Sequence, residues 1–305
     1  MNPHISFKQL NVFSAITQHK TLTAAAEHLF LSKAAVSMGL AELEKQLGHP
    51  LFDRVNNRLI LNQEGHKLLP LADELINRLG DISLMFNDEQ VMSGQLRIGS
   101  SDTVGNHLTP IILSAFRQQY HHESQSLFVS NSAHICQKLV DFELDIALIE
   151  GEHHHPDIIA IPFSQDEMCV ISSPNHPLAA KSMIELSSLD NSHWVLREQG
   201  SGSRDCFMQN LAPHIGNWHT SVELNTTEAL INSVAAGLGF GCLSNIAAQY
   251  ALESLRVSKI NVPVDMQREF WILIHKDKYQ SPLLKAFIEF CMEWETNQKG
   301  KVIAK

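Results

Sequence analysis

Residues 21–47, TLTAAAEHLFLSKAAVSMGLAELEKQL, carry the pattern of two short helices joined by a tight turn. Ser32 is a good N-cap, and in a helix starting behind it Val36, Leu40, Leu43 and Leu47 recur at the spacing of one buried face. The opposite face, with Lys33, Ala34, Ser37, Met38, Ala41 and Lys45, must look outward, and its small residues let the backbone approach a groove floor and phosphates. In the preceding helix, expected to open at Thr23, Ala24, Ala25 and Ala26 allow two helices to cross at close range through the Phe30-Leu31-Ser32 turn. An alanine-rich helical hairpin without DNA contact would share this pattern, so the rest of the chain has to decide.

Downstream, Leu51-Phe52-Asp53-Arg54 and Leu59-Ile60-Leu61 flank the polar loop Val55-Asn56-Asn57-Arg58, the layout of a β-wing. Arg54 and Arg58 would reach phosphate or the minor groove from it, although a charged hairpin tip also suits any solvated turn. These first ninety residues resemble the N-terminal domain of LysR-type transcriptional regulators. The resemblance rests on residues 10–15, the alanine run, Leu31-Ser32, Ala35-Val36-Ser37, Leu43-Glu44, Leu47-Gly48 and Leu51-Phe52-Asp53-Arg54. It implies a winged helix-turn-helix at 1–62 that contacts double-stranded operator DNA through Thr23, Ser32, Lys33, Ala34, Ser37, Met38, Arg54, Asn57 and Arg58. Lys33-Ala34 replaces the glutamine and proline common in the family, and Met38 a common arginine, so base preference does not carry over.

A chain of 305 residues with 44% hydrophobic content suits two or three domains with a sizeable core. No segment has the apolar length of a membrane span, and the N-terminus runs polar through Lys8 without a secretory hydrophobic region, so a cytoplasmic protein is expected. The formal net charge of −10 divides unevenly, with +2 on residues 1–70 and −12 on the remainder. One weakly positive head binds DNA poorly; a homodimer or homotetramer is needed to accumulate phosphate contacts. A means of pairing follows at once, since Leu68, Ala72, Leu75, Leu79, Ile82 and Phe86 alternate steps of four and three in a helix over 63–92 with Asn62 as N-cap. A single amphipathic helix packed on its own domain would read similarly, but in LysR-type proteins the equivalent helix pairs with a partner subunit. Ser93-Gly94 would then be a hinge.

From residue 95 the pattern is α/β: strands near 95–99, 127–130 and 145–149 alternate with helices at 106–120 and 134–142. A similar order recurs with strands at 168–172, 222–224 and 239–243 and a helix at 228–236, before a return through 270–274. Two lobes result, lobe I at 95–161 and 268–305 and lobe II at 162–267, within a domain spanning 93–305. This part also resembles the family, whose effector domain has a two-lobed periplasmic-binding-protein-like fold around a small-molecule site. The matching segments include Gln95 to Ser100, Asp145-Ile146-Ala147-Leu148, His176-Pro177-Leu178 and Ala235 to Gly239.

Between such lobes, hydroxyls collect where strands give way to helices, at Ser100, Ser101 and Thr103, at Ser201 and Ser203, and at Thr227. Capping of the helices alone would also account for them. Arg197 and Arg204 are the candidate partners for a carboxylate, sulfate-like or phosphate-like group, while Glu150 and Glu228 could hold these arginines instead. A mixed site takes an amine-bearing or zwitterionic ligand; one with internally paired glutamates takes a small oxyanion. The runs at 100–106 and 197–204 most resemble the family branch of sulfur-assimilation and carbon-fixation regulators, which implies a small anionic metabolite bound by Ser100, Ser101, Thr103, Glu150, Arg197, Ser201, Ser203, Arg204 and Thr227.

Other classes fit less well. Gly200-Ser201-Gly202 lacks the G-x-S-x-G of a nucleophile elbow, and no Walker loop or G-x-G-x-x-G occurs, so an enzyme is not expected. A solute-binding protein leaves the first ninety residues without a purpose. The histidine runs 121–122 and 153–155 lack a completed ligand set, five scattered cysteines contain no C-x-x-C, and neither metal nor other cofactor is expected. The expected partners are DNA, the effector, a second copy of the chain and RNA polymerase.

Overall fold

The computed structural model describes residues 4–56, 58–84, 94–151 and 155–294. Helix α1 (Phe7–His19) opens with a capping box in which the Ser6 side chain accepts from Gln9 N and the Gln9 side chain accepts from Ser6 N. Helix α2 (Leu22–His28) starts one residue before Thr23: Thr21 is its N-cap and accepts from Ala24 N at 3.2 Å. Thr23 therefore lies inside the first turn, a correction that follows from Thr21 having the extended backbone a cap needs. Helix α3 (Lys33–Leu47) begins behind Ser32 as expected, with Ser32 Oγ accepting from Ala35 N, and ends at Gly48 in the left-handed conformation. Val36, Leu40 and Leu43 are buried against Phe13, Ile16 and Ala25 in one core.

Strands β1 (Phe52–Val55) and β2 (Arg58–Leu61) pair antiparallel with Val55 opposite Arg58, forming the wing. Asn57 lies outside the described residues; Asn56 before it has φ of 49°, which asparagine tolerates. Helix α4 (Gln63–Leu84) is capped by Asn62, whose Oδ1 accepts from Gly65 N at 2.9 Å, and Pro70 is absorbed in it. Its two apolar stripes differ from the expected seam. Ala72 is wholly buried and Leu68 packs beside it on the head's own core, whereas Leu71, Leu75, Leu79 and Ile82 are 41–58% exposed. The heptad count started from Leu68 mixed these two faces, because both repeat at helical spacing. Phe86 lies outside the described residues.

Lobe I is built from β3 (Leu96–Ser100), α5 (Asp102–His107), α6 (Thr109–Tyr120), β4 (Gln125–Val129), α7 (Ser132–Val140) and β5 (Ile146–Glu150). The single helix expected over 106–120 is two, because Pro110 cannot donate within a helix and suits the first turn of a new one. The long β6 (Ile158–Ser172) carries the chain into lobe II, which holds β7 (Ser192–Arg197), α8 (Gly202–Cys206), β8 (Trp218–Leu224), α9 (Thr227–Ala235), β9 (Phe240–Ser244), α10 (Asn245–Glu253) and β10 (Ser258–Ile260). Then β11 (Gln267–His275) returns to lobe I, which α11 (Pro282–Met292) completes.

The strand order β4-β3-β5-β11-β6-β9-β7-β8 runs through both lobes, with parallel pairs at both ends and antiparallel β11 and β6 in the middle. These two strands pair from Gln267–Glu167 to His275–Ile158, with an irregularity at Phe270/Trp271, so they form the connection between lobes. Each lobe buries its own core, around Phe116, Phe270 and Phe287 in lobe I and around Trp194 and Phe207 in lobe II.

Candidate nucleic-acid interface and effector cleft

On the head, the N-terminus of α3, the start of α2 and the wing surround one groove. Thr21, Leu22, Thr23, Lys33, Arg54, Asn56, Arg58 and Leu59 line it, placing three cations along a concave strip. Lys33, Ala34 and Met38 are exposed, Met38 at 72%, and Ser37 is half-buried beside them. The outer face of this helix, with Ala34 and Ser37 small beside Lys33 and Met38, is flanked by an arginine-bearing hairpin, and the cations on both suit the phosphates of a duplex.

Between the lobes the carboxyl ends of β3, β5 and β7 converge, and the geometry separates capping from ligand-like roles. Ser101 and Ser201 occupy the N-cap positions of α5 and α8 but neither makes a side-chain capping bond. Ser101 Oγ instead donates to Glu150, itself 2% exposed. Thr226 caps α9, which frees Thr227 to receive a hydrogen bond from Arg197 Nη1 at 3.1 Å.

Arg197, at the end of β7 and 2% exposed, is the centre of the cleft. Its Nη1 meets Asp102 Oδ2 of lobe I at 2.8 Å, its Nε meets Glu198 Oε2 at 2.9 Å, and its Nη2 donates to Asn225 O at 3.1 Å. Burial disfavours the charge, but Glu198, Asp102 and Glu150 outweigh it and push the guanidinium pKa above its ordinary value. Close backbone contacts join the lobes around this pair. Gly200 O accepts from Ala133 N at 3.2 Å, Asn131 Nδ2 donates to Glu198 at 3.1 Å, and a Cβ on Gly202 would stand 2.5 Å from Glu150 O.

Three of the residues singled out in the sequence sit elsewhere. Ser100 points with Ile98 into lobe I, where its hydroxyl bonds Thr109 and Leu148 O, because strand alternation turns it away from the cleft. Arg204 donates to Arg197 O and pairs with Glu223 of β8, so it braces the strand end that carries Arg197. Glu228 pairs with Arg256 on lobe II and holds neither arginine.

The sequence reading missed a second buried guanidinium. Arg268 of β11 pairs with Asp166 of β6 at 2.7 Å, and reaches Ser203 Oγ of lobe II at 3.2 Å and Thr103 Oγ1 of lobe I at 3.3 Å. It joins two expected effector residues from opposite lobes. Sequence gives it little signal, because it stands in the polar run Gln267-Arg268-Glu269 that opens the return strand.

Residues 7–66 match the model of the lysR family of bacterial regulatory helix-turn-helix proteins, and residues 89–295 match the LysR substrate binding domain. The chain belongs to the family of LysR-type transcriptional regulators. The uncharacterized HTH-type transcriptional regulator YeiE of Escherichia coli is 36% identical over 289 residues, covering 94% of this chain and 97% of that protein. The RuBisCO operon transcriptional regulator of Allochromatium vinosum is 30% identical over 291 residues, covering 95% and 96%. The regulatory domain of Synechocystis CcmR, solved in complex with 2-PG, is 25% identical over 66% of this chain and 96% of its own, with a TM-score of 0.60. As a LysR-type regulator the protein is a DNA-binding transcription factor with an effector-binding domain rather than an enzyme.

In this regulator all five cysteines are buried. Burial pushes the thiols of Cys136 and Cys169 up to about 12 and also raises Cys206, whose Sγ accepts from Asn210 at 3.3 Å. The fold does bring Cys206 and Cys169 into the electrostatic neighbourhood of Cys242, a proximity that sequence spacing concealed. His153 and His154 lie outside the described residues, and no group of three metal-ligating side chains occurs among the described ones. No described helix is long and apolar enough to cross a membrane.

Proposed function

We propose that this regulator is a cytoplasmic homodimer or homotetramer whose action on its operator is set by a small anionic metabolite bound between the lobes. The observation that carries the reading is Arg197, a buried guanidinium of lobe II held by the carboxylate of Asp102 from lobe I. An effector anion takes the place of that carboxylate. Glu150 supports an oxyanion over a zwitterion, since its hydrogen bond with Ser101 leaves it committed within lobe I. The CcmR regulatory domain, similar in fold to this effector domain, was solved with 2-PG, which makes that compound a first candidate.

Because Asp102 and Glu198 already neutralise Arg197, entry of an anion must reorganise the interlobe contacts, and that difference between states is what couples ligand to lobe angle. Thr103, Ser201, Ser203 and Thr227 supply hydroxyls around it, while Ser100 and Arg204 act on it indirectly. On the head, Ser32 caps the reading helix, Lys33, Ala34, Ser37 and Met38 face the groove, and Thr23, Arg54 and Arg58 flank it. Paired heads, joined through Leu71, Leu75, Leu79 and Ile82 of α4, present two half-sites to DNA, and the changed spacing alters access of RNA polymerase.

The test is a thermal-shift series on the full-length protein with sulfate, phosphate and 2-PG. One of these at about 100 times its Kd raises the melting temperature by about 5–10 °C. The same anion leaves Arg197→Lys unshifted while its operator binding in a gel shift is kept. An equal shift in the variant removes Arg197 from the site.

A further inference from the structure

The head and lobe I of the chain meet at a face that neither the DNA groove nor the effector cleft uses. Phe142, in the turn after α7 with φ of 56°, is 4% exposed and belongs to the head's apolar core, although it is a lobe I residue. Its ring lies 4.4 Å from that of His275, and the Lys278 ammonium stands 5.5 Å from its centroid. Next to it, Glu143 pairs with Lys20 of the head at 2.9 Å and with Lys138 of lobe I.

Behind this plug is a buried ion cluster. The Lys278 ammonium, 2% exposed, sits 2.8 Å from Asp73 of α4 and 2.7 Å from Asp145, which Arg97 grips in turn at 2.6 Å. Arg97 also stands 3.6 Å from Asp73. Further along α4, Tyr279 donates to Asp81 at 2.9 Å and Arg78 covers the Tyr279 ring at 4.5 Å.

Two cations and two carboxylates make the cluster neutral, but its members come unequally from the two sides. Lobe I contributes Arg97, Asp145 and Lys278; the head side contributes Asp73 alone. Without that carboxylate the docked joint buries one uncompensated positive charge, which is far less favourable than leaving it in water. Phe142 gives the apolar half of the attachment, since His275 and Lys278 cover only part of its ring and the head's core covers the rest.

We propose that Phe142 and the Asp73–Lys278–Asp145–Arg97 cluster latch the head, α4 and lobe I of one chain into a single body, so that lobe II is the part that swings. The assignment of the swing to an effector rests on the function proposed above, whereas the latch itself does not. Within this arrangement, motion at the cleft reaches the DNA-reading helix as rotation of the head–lobe I body against lobe II.

The experiment measures the head-to-lobe I distance in full-length protein without effector, by pulsed electron–electron resonance between spin labels at Lys45→Cys and Arg117→Cys. Both positions are more than half exposed, and the native thiols are buried. In labelled protein diluted with an excess of unlabelled chains, so that only pairs within one chain contribute, a single narrow distance is expected. Asp73→Asn lowers the docked-to-undocked ratio by at least about tenfold and broadens the distribution. Asp73→Asn with Lys278→Met restores charge balance and the narrow distance, a rescue that mere loss of packing would not show. Phe142→Gly, which keeps the left-handed backbone and removes the plug, broadens it independently. A narrow distance that survives both single variants, a double variant no better than Asp73→Asn, or a signal lost on dilution overturns the latch.

Discussion

Arg54 and Gly202 show how differently single side chains act in the two working regions. Arg54 is exposed on the wing and lines the head groove, and in the DNA-binding role proposed for it the guanidinium acts on phosphates, independently of base sequence. Arg54→Ala should weaken retention on operator and non-operator duplexes alike. It should also reduce the slope of log affinity against log salt by about 1, measured by fluorescence anisotropy at several salt concentrations. Gly202 matters through what it lacks, because a Cβ there would press on Glu150 O at 2.5 Å where α8 meets β5. Gly202→Ala should disfavour the closed lobe arrangement by about 1–3 kcal/mol. Small-angle scattering would report a larger radius for the variant, and an unchanged radius would mean that the lobes tolerate the added methyl.

Among the elements, α4 has the most distinct faces, one packed into the head core by Leu69 and Ala72, one facing lobe I through Asp73 and Asp81, and one presenting Leu71, Leu75, Leu79 and Ile82. Periodicity alone revealed an amphipathic helix here but not which stripe was inward. Leu68 and Ala72 were expected at a subunit seam, and tertiary packing assigns them to the chain's own core. Leu75→Glu should therefore raise the dimer dissociation constant by at least about 100-fold while leaving the head folded, since it adds a charge to the exposed stripe alone. Sedimentation velocity with circular dichroism as the folding control reads both. A similar ambiguity ran through the hinge: 168–172 and 270–274 were legible as strands, but β6 and β11 extend well beyond them because each crosses from one lobe to the other.

Across the assembled chain, the excess of acid lies in the body, and some of its carboxylates are tightly held at the head–lobe I boundary. Desolvation would raise Asp145, yet Lys278 and Arg97 override it and hold the carboxyl well below the usual carboxylate range. A folded-state pKa below the unfolded one stabilises the native form above the unfolded pKa of about 3.9 and loses that contribution as pH falls through the folded value. Thermal stability should change little through this group from neutrality to about pH 4 and decline below it. Asp145→Asn should be less stable at neutral pH and show a shallower acid decline, as read by melting temperature against pH.

The helix-turn-helix, the wing and the alternation of strands and helices were readable from residues 21–47, 51–61 and 95 onward because caps, turns and hydrophobic periods are settled within a few positions. Hydroxyl-bearing strand ends were legible too, but not which way each hydroxyl turns, since Ser100 bonds inside lobe I while Ser101 meets Glu150. What occupies Arg197 was not readable: its partner Asp102 is 95 positions away, Arg268 finds Asp166 over 102, and Lys278 finds Asp73 over 205. Charges so distant choose partners only when chain packing brings them together and removes the water between them, and no local pattern records that choice.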